Sequence, residues 1–79
     1  MSDPRLGSRL KEVRTAAGLT QAELAERAGV SRKTINTVEN GVFTPSTTLA
    51  LVLSRVLGQP VEALFHLLDD DDLPPRAGG

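Results

Sequence analysis

The stretch Leu19-Thr20-Gln21-Ala22-Glu23-Leu24-Ala25-Glu26-Arg27-Ala28-Gly29-Val30-Ser31-Arg32-Lys33-Thr34-Ile35-Asn36-Thr37-Val38-Glu39-Asn40-Gly41 carries two short helical patterns divided by a glycine. Thr20 followed three residues later by Glu23 is a capping box, so a helix begins there. Its apolar positions are Ala22, Leu24, Ala25 and Ala28, and Gly29 supplies the backbone freedom for a sharp turn before Val30. Ser31 caps a following helix, Arg32 to about Asn40, on which Ile35 and Val38 stand one turn apart. That helix therefore has a narrow buried side, and the rest of it is polar or charged. Two short helices joined by Ala28-Gly29-Val30 have the geometry of a helix-turn-helix, in which the second helix stands proud of the domain.

Working outward, Leu6, Leu10, Val13 and Ala17 draw one apolar stripe on a preceding helix that Gly18 ends. After Gly41, Val42 to Pro45 form a loop, and Ser46 or Thr47 caps a fourth helix running to Leu57. Its inward positions are Leu49, Leu53, Val56 and Leu57, with Gly58 as the stop. Pro60 suits the first turn of a fifth helix, where Val61, Leu64, Phe65 and Leu68 repeat the buried spacing. No segment alternates apolar and polar residues long enough to predict a strand. The expected architecture is all-α, a compact five-helix bundle over residues 1–68. Residues 69–79, acidic and containing Pro74-Pro75 and Gly78-Gly79, are expected to form a disordered tail.

Composition narrows the function. A chain of 79 residues holds one small domain with no room for a large enclosed substrate cavity. The absence of cysteine excludes disulfides, thiolate metal sites and a cysteine nucleophile together. The longest apolar run, Leu49 to Leu53, is too short for a signal peptide core or a membrane span, so a cytoplasmic protein is expected. The net charge is -1, but four of the acids form the run Asp69 to Asp72. Residues 1–68 carry eight basic against six acidic residues, a mildly basic balance that permits a nucleic-acid partner without demanding one. The acidic run reads as a solvated end, or alternatively as a screen for a basic face or a contact for a partner protein.

His66 is the only histidine, and with Glu62 it makes at most two ligands. The aspartate run lacks the glycine and glutamate of a calcium loop. Neither a metal nor another cofactor is expected. An enzyme would need titrating groups converging in a cleft, whereas the polar residues here line one exposed helix. A helix fits the major groove of duplex DNA when its outer face carries long donors near its N-terminal end. Arg32 and Lys33 hold that place and are able to donate to guanine O6 and N7. Asn36 and Thr37, one turn on, suit adenine or a thymine methyl. Cations at a helix N-terminus oppose the helix dipole, so their position calls for a reason beyond helix stability.

The succession Thr20-Gln21-x-x-Leu24-Ala25, Gly29-Val30-Ser31, Thr34-Ile35, Glu39-Asn40-Gly41 and Pro45 resembles the phage repressor and Cro-like, or XRE, family of helix-turn-helix regulators, in particular its short single-domain bacterial members. With Arg14, Leu57-Gly58 and Leu64-Phe65 the likeness spans about residues 5 to 68. It implies a lambda-repressor-like fold and double-stranded DNA as partner. It also implies base contacts from Arg32, Lys33 and Thr37, with Asn36 beside them, and phosphate contacts from Gln21, Ser31, Asn40 and Thr44. Gln21 would in addition buttress the recognition helix. Asn40 has an equally good structural reading, because asparagine before glycine commonly ends a helix. Arg5 and Arg9 are candidates for further electrostatic contact. The family's partly buried ion pair maps to Arg14 and Glu39.

Thr47 and Val52 depart from the pattern of the short regulators. Leu51 and Val52 are hard to bury together with Leu49 and Leu53, so an exposed patch is expected there, continued by Leu67 and Leu68. Homodimerisation through the C-terminal helices is its natural use, because a two-fold dimer reads both halves of a palindrome. The leading expectation is thus a dimeric repressor acting by occlusion, with no small-molecule effector implied. The competing expectation is an antitoxin or other interaction module that holds a partner protein through its C-terminal helices and acidic segment.

Overall fold

The computed structural model describes residues 3–68; the expected tail, with Asp69 to Asp72, lies outside the described residues. Five helices follow in order, α1 (Leu10–Ala16), α2 (Gln21–Ala28), α3 (Arg32–Glu39), α4 (Thr47–Leu57) and α5 (Val61–Leu64). The capping box at Thr20 is present in both directions. The threonine hydroxyl accepts the Glu23 N–H at 3.0 Å, and the Glu23 carboxylate accepts the Thr20 N–H at 2.9 Å. That backbone N–H is the main reason the Glu23 carboxyl is held below its ordinary range. Gly29 follows α2 at φ +74°, a left-handed conformation costly for any residue with a Cβ. Ser31 and Ser46 cap α3 and α4 by accepting the N–H groups of Thr34 and Leu49, each at 3.1 Å.

Every helix contributes to one core. Leu10 of α1, Leu24 of α2, Ile35 and Val38 of α3, Leu53 of α4 and Leu64 of α5 are all fully buried, with Ala25 and Phe65 completing the cluster. Ala22, though apolar, is exposed. It points away from the common direction of Leu24, Ala25 and Ala28, which the core occupies.

The all-helical expectation is corrected at the two ends of the domain. Leu6 belongs not to the first helix but to a strand, β1 (Leu6–Ser8), and the fifth helix stops at Leu64, where β2 (Phe65–Leu67) begins. The two strands pair antiparallel, Leu6 opposite Leu67, Gly7 opposite His66 and Ser8 opposite Phe65. Three residues are too few to display alternation, so a periodicity search passes over them. Two flanking bonds, Arg9 N–H to the Leu64 carbonyl at 2.8 Å and Leu68 N–H to the Arg5 carbonyl at 2.9 Å, lengthen the seam. A Cβ built on Gly7 would overlap the His66 ring, so glycine is what lets the imidazole lie across β1. Leu6 and Phe65 still pack inward as expected, from strand rather than helix.

Candidate nucleic-acid interface

Helix α3 is anchored in the core by Ile35 and Val38, and its N-terminal turn faces outward. Arg32, Lys33 and Asn36 are exposed. The first turn of α3 contains no acid, and neither Arg32 nor Lys33 meets a carboxylate among the described residues. Two cations thus reinforce the positive end of the helix dipole, a combination that repels itself and attracts an anion. Thr37 is half-buried, its hydroxyl donating to the Thr34 carbonyl at 3.0 Å. The exposed Ser31 hydroxyl serves as cap and shares a 2.9 Å hydrogen bond with the Thr34 hydroxyl. Asn40 closes the helix, its side-chain amide donating to the Asn36 carbonyl at 2.9 Å. Thr44 is half-buried, and its hydroxyl oxygen accepts the backbone N–H of Asp3 at 2.9 Å.

A buried polar network sets the attitude of α3. Both Nε and Nη2 of Arg14 engage the Glu39 carboxylate, Nη2 reaching Oε1 at 3.2 Å. The Gln21 amide donates to the same Oε1 at 3.0 Å, and Arg14 Nη1 donates to the Leu19 carbonyl at 2.8 Å. The Glu39 side chain is only 1% exposed and that of Arg14 12%. Out of water, with both oxygens of one partner and three nitrogens of the other engaged, such a pair resists distortion; removing one member strands a charge. The network joins α1, the loop before α2, the first residue of α2 and the last of α3. It also fixes Gln21 beside an open depression lined by Gly18, Thr20 and Arg32.

The expected apolar patch resolves into two exposed leucines, Leu51 at 58% and Leu67 at 70% exposure, while Val52 and Leu68 are half-buried. Val52 lines a cleft between Arg27 and Arg55, and the Leu68 N–H is spent on Arg5. Two features escaped sequence reasoning. Val42 and Phe43 are exposed directly after α3, their N–H groups both held by the Thr37 carbonyl. Asp3 carries no local sign of its role, because its partner Thr44 is 41 residues away. Only strand pairing, invisible in the periodicity, brings that segment to the loop. Among the described residues no three His, Asp or Glu side chains converge as a metal site would require.

A helix-turn-helix family model matches residues 10–64. The chain belongs to the helix-turn-helix family of Cro/C1, or XRE, type. Among its relatives, an uncharacterized HTH-type transcriptional regulator from Archaeoglobus fulgidus is 42% identical over 66 residues, covering 84% of this chain and 93% of the relative. A second, from Methanothermobacter thermautotrophicus, is 48% identical over 63 residues, covering 78% and 90%. The crystal structure of the restriction-modification controller protein C.AhdI from Aeromonas hydrophila superposes with a TM-score of 0.67 at 36% identity, covering 70% of this chain and 83% of that one. This helix-turn-helix protein is accordingly a DNA-binding transcriptional regulator by family and not an enzyme. The family binds double-stranded DNA. Among the described residues no helix is long and apolar enough to cross a membrane.

Proposed function

We propose that this protein is a cytoplasmic, homodimeric repressor that reads a palindromic operator through the major groove and excludes other proteins from that site. The single observation that carries the reading is the exposed, carboxylate-free N-terminal turn of α3, with Arg32 and Lys33 mounted on a helix held by the Arg14–Glu39–Gln21 network. Arg32, Lys33, Asn36 and Thr37 read bases. Gln21, Ser31, Asn40 and Thr44 position the domain on phosphates, contacts that fix register without carrying sequence information. The capping geometry of Ser31 and Asn40 is compatible with that work. Asn40 keeps polar capacity beyond its helix bond in its amide oxygen.

Dimerisation follows from the need for specificity, since one α3 spans only a few base pairs. The exposed Leu51 and Leu67, with Val52 and Leu68 at their margin, supply the surface for it. Residues 1–68 form the DNA-binding domain in this reading. Selection from a random duplex pool at low and moderate salt tests the whole proposal. It expects a palindromic motif bound well below roughly 10⁻⁶ M at moderate salt. Motif-free binding that vanishes as salt rises would refute it.

A further inference from the structure

We infer that Arg5, with the Thr44 hydroxyl, forms a position for a DNA backbone phosphate outside the helix-turn-helix, and that Asp3 occupies it in the free protein. The inference rests on the proposed DNA-bound mode and extends it to the N-terminal segment. The Asp3 carboxylate accepts three hydrogen bonds from Arg5, from the backbone N–H at 2.9 Å, from Nε at 3.2 Å and from Nη2 at 3.1 Å. The two side-chain bonds are the fork in which a guanidinium also grips two oxygens of a phosphate. The same Asp3 gives its backbone N–H to Thr44 Oγ1 at 2.9 Å. A hydroxyl that accepts in this way keeps its own proton to donate. Covalent geometry then limits the distance from the Thr44 hydroxyl to the guanidinium to about 10 Å, so both reach the same stretch of backbone.

Fixed backbone and weak pairing together make the exchange possible. The Arg5 carbonyl is pinned by the Leu68 N–H at the end of the β1–β2 seam, which holds the residue beside the loop that follows α3. Its side chain is 55% exposed and that of Asp3 38%, and an ion pair so wet is readily given up to another anion. Arg5 holds the Asp3 carboxyl below its ordinary range, so the carboxylate is charged at neutral pH and competes with phosphate. Helix α4 begins three residues after Thr44 with no acid in its first turn, which adds to the positive potential around that loop.

The test is a salt titration of binding to the selected operator and to random duplex, using wild type, Arg5→Gln, Arg5→Lys and Asp3→Asn. Because the seam uses only the backbone of Arg5, these variants should melt as wild type does. Arg5→Gln is expected to lower the slope of log affinity against log salt by about one and to weaken both duplexes by the same factor. Arg5→Lys should keep most of the slope, and Asp3→Asn should tighten both duplexes. An unchanged slope in Arg5→Gln beside intact operator binding by wild type would overturn this inference and leave the proposed function standing. An Asp3→Asn protein no tighter than wild type would overturn the exchange with phosphate, and a wild type that binds no duplex would overturn both readings.

Discussion

The helix-turn-helix and the β1–β2 seam lie in one small domain, yet they are built on opposite terms. In α2 and α3 each structural decision is local. Thr20, Gly29 and Ser31 start and stop helices within three or four residues of their partners. In the seam every bond is long-range, and no residue in it has a strong preference of its own. The difference teaches where stability and function are placed. The part proposed to face DNA is preset by local chemistry and locked from behind by one buried network, whereas the terminal segment is a strap whose position depends on the finished core.

Breaking the lock should have the largest effect. Arg14→Ala strands the Glu39 carboxylate in the interior and is expected to cost about 3–5 kcal/mol, read as a lowered melting temperature. The double variant Arg14→Met, Glu39→Met should recover much of that loss, because it removes both charges together. A melting curve unmoved by Arg14→Ala would contradict the lock.

Opening the strap should cost less. Gly7→Ala forces the His66 ring off β1, with an expected loss of about 1–3 kcal/mol. Hydrogen exchange should quicken at Arg9 and Leu68, whose N–H groups bond across the seam, while α2 and α3 keep their protection. Equal loosening of both regions would erase the contrast between them. Ser31→Ala, which removes only the cap of α3, should cost about 1 kcal/mol in chemical denaturation.

The smallest effect concerns pH. Glu23 has a folded-state pKa below its unfolded one, so its contribution is present above the ordinary carboxyl range and disappears as pH falls through the lowered value. Comparing wild type with Glu23→Gln across that acid range should show the gap between them closing as pH drops. A gap that widens instead would mean that the carboxylate is not what the Thr20 N–H favours.

The helix-turn-helix was legible residue by residue, since caps, turn glycine and the Ile35 and Val38 pair all write themselves into short windows of sequence. The placement of Arg32, Lys33, Asn36 and the Arg14 and Glu39 positions followed from the same windows and the family resemblance they support. The strands were not legible. Three-residue elements carry no periodicity, and the one local hint, Gly7, acquires meaning only when His66 is known to lie across it. The division of the C-terminal apolar residues was half legible. Crowding on α4 predicts that one of Leu51 and Val52 faces out, but that it is Leu51 depends on how the helix sits on the core.

The most direct measurement is the ratio of operator to random-duplex affinity for wild type, Arg32→Ala and Lys33→Ala at a single moderate salt concentration, with melting curves alongside. If the N-terminal turn of α3 reads bases, each variant melts as wild type does and loses discrimination by about 1–3 kcal/mol, roughly five- to 150-fold. Unchanged discrimination in both folded variants would contradict the assignment of base reading to that turn.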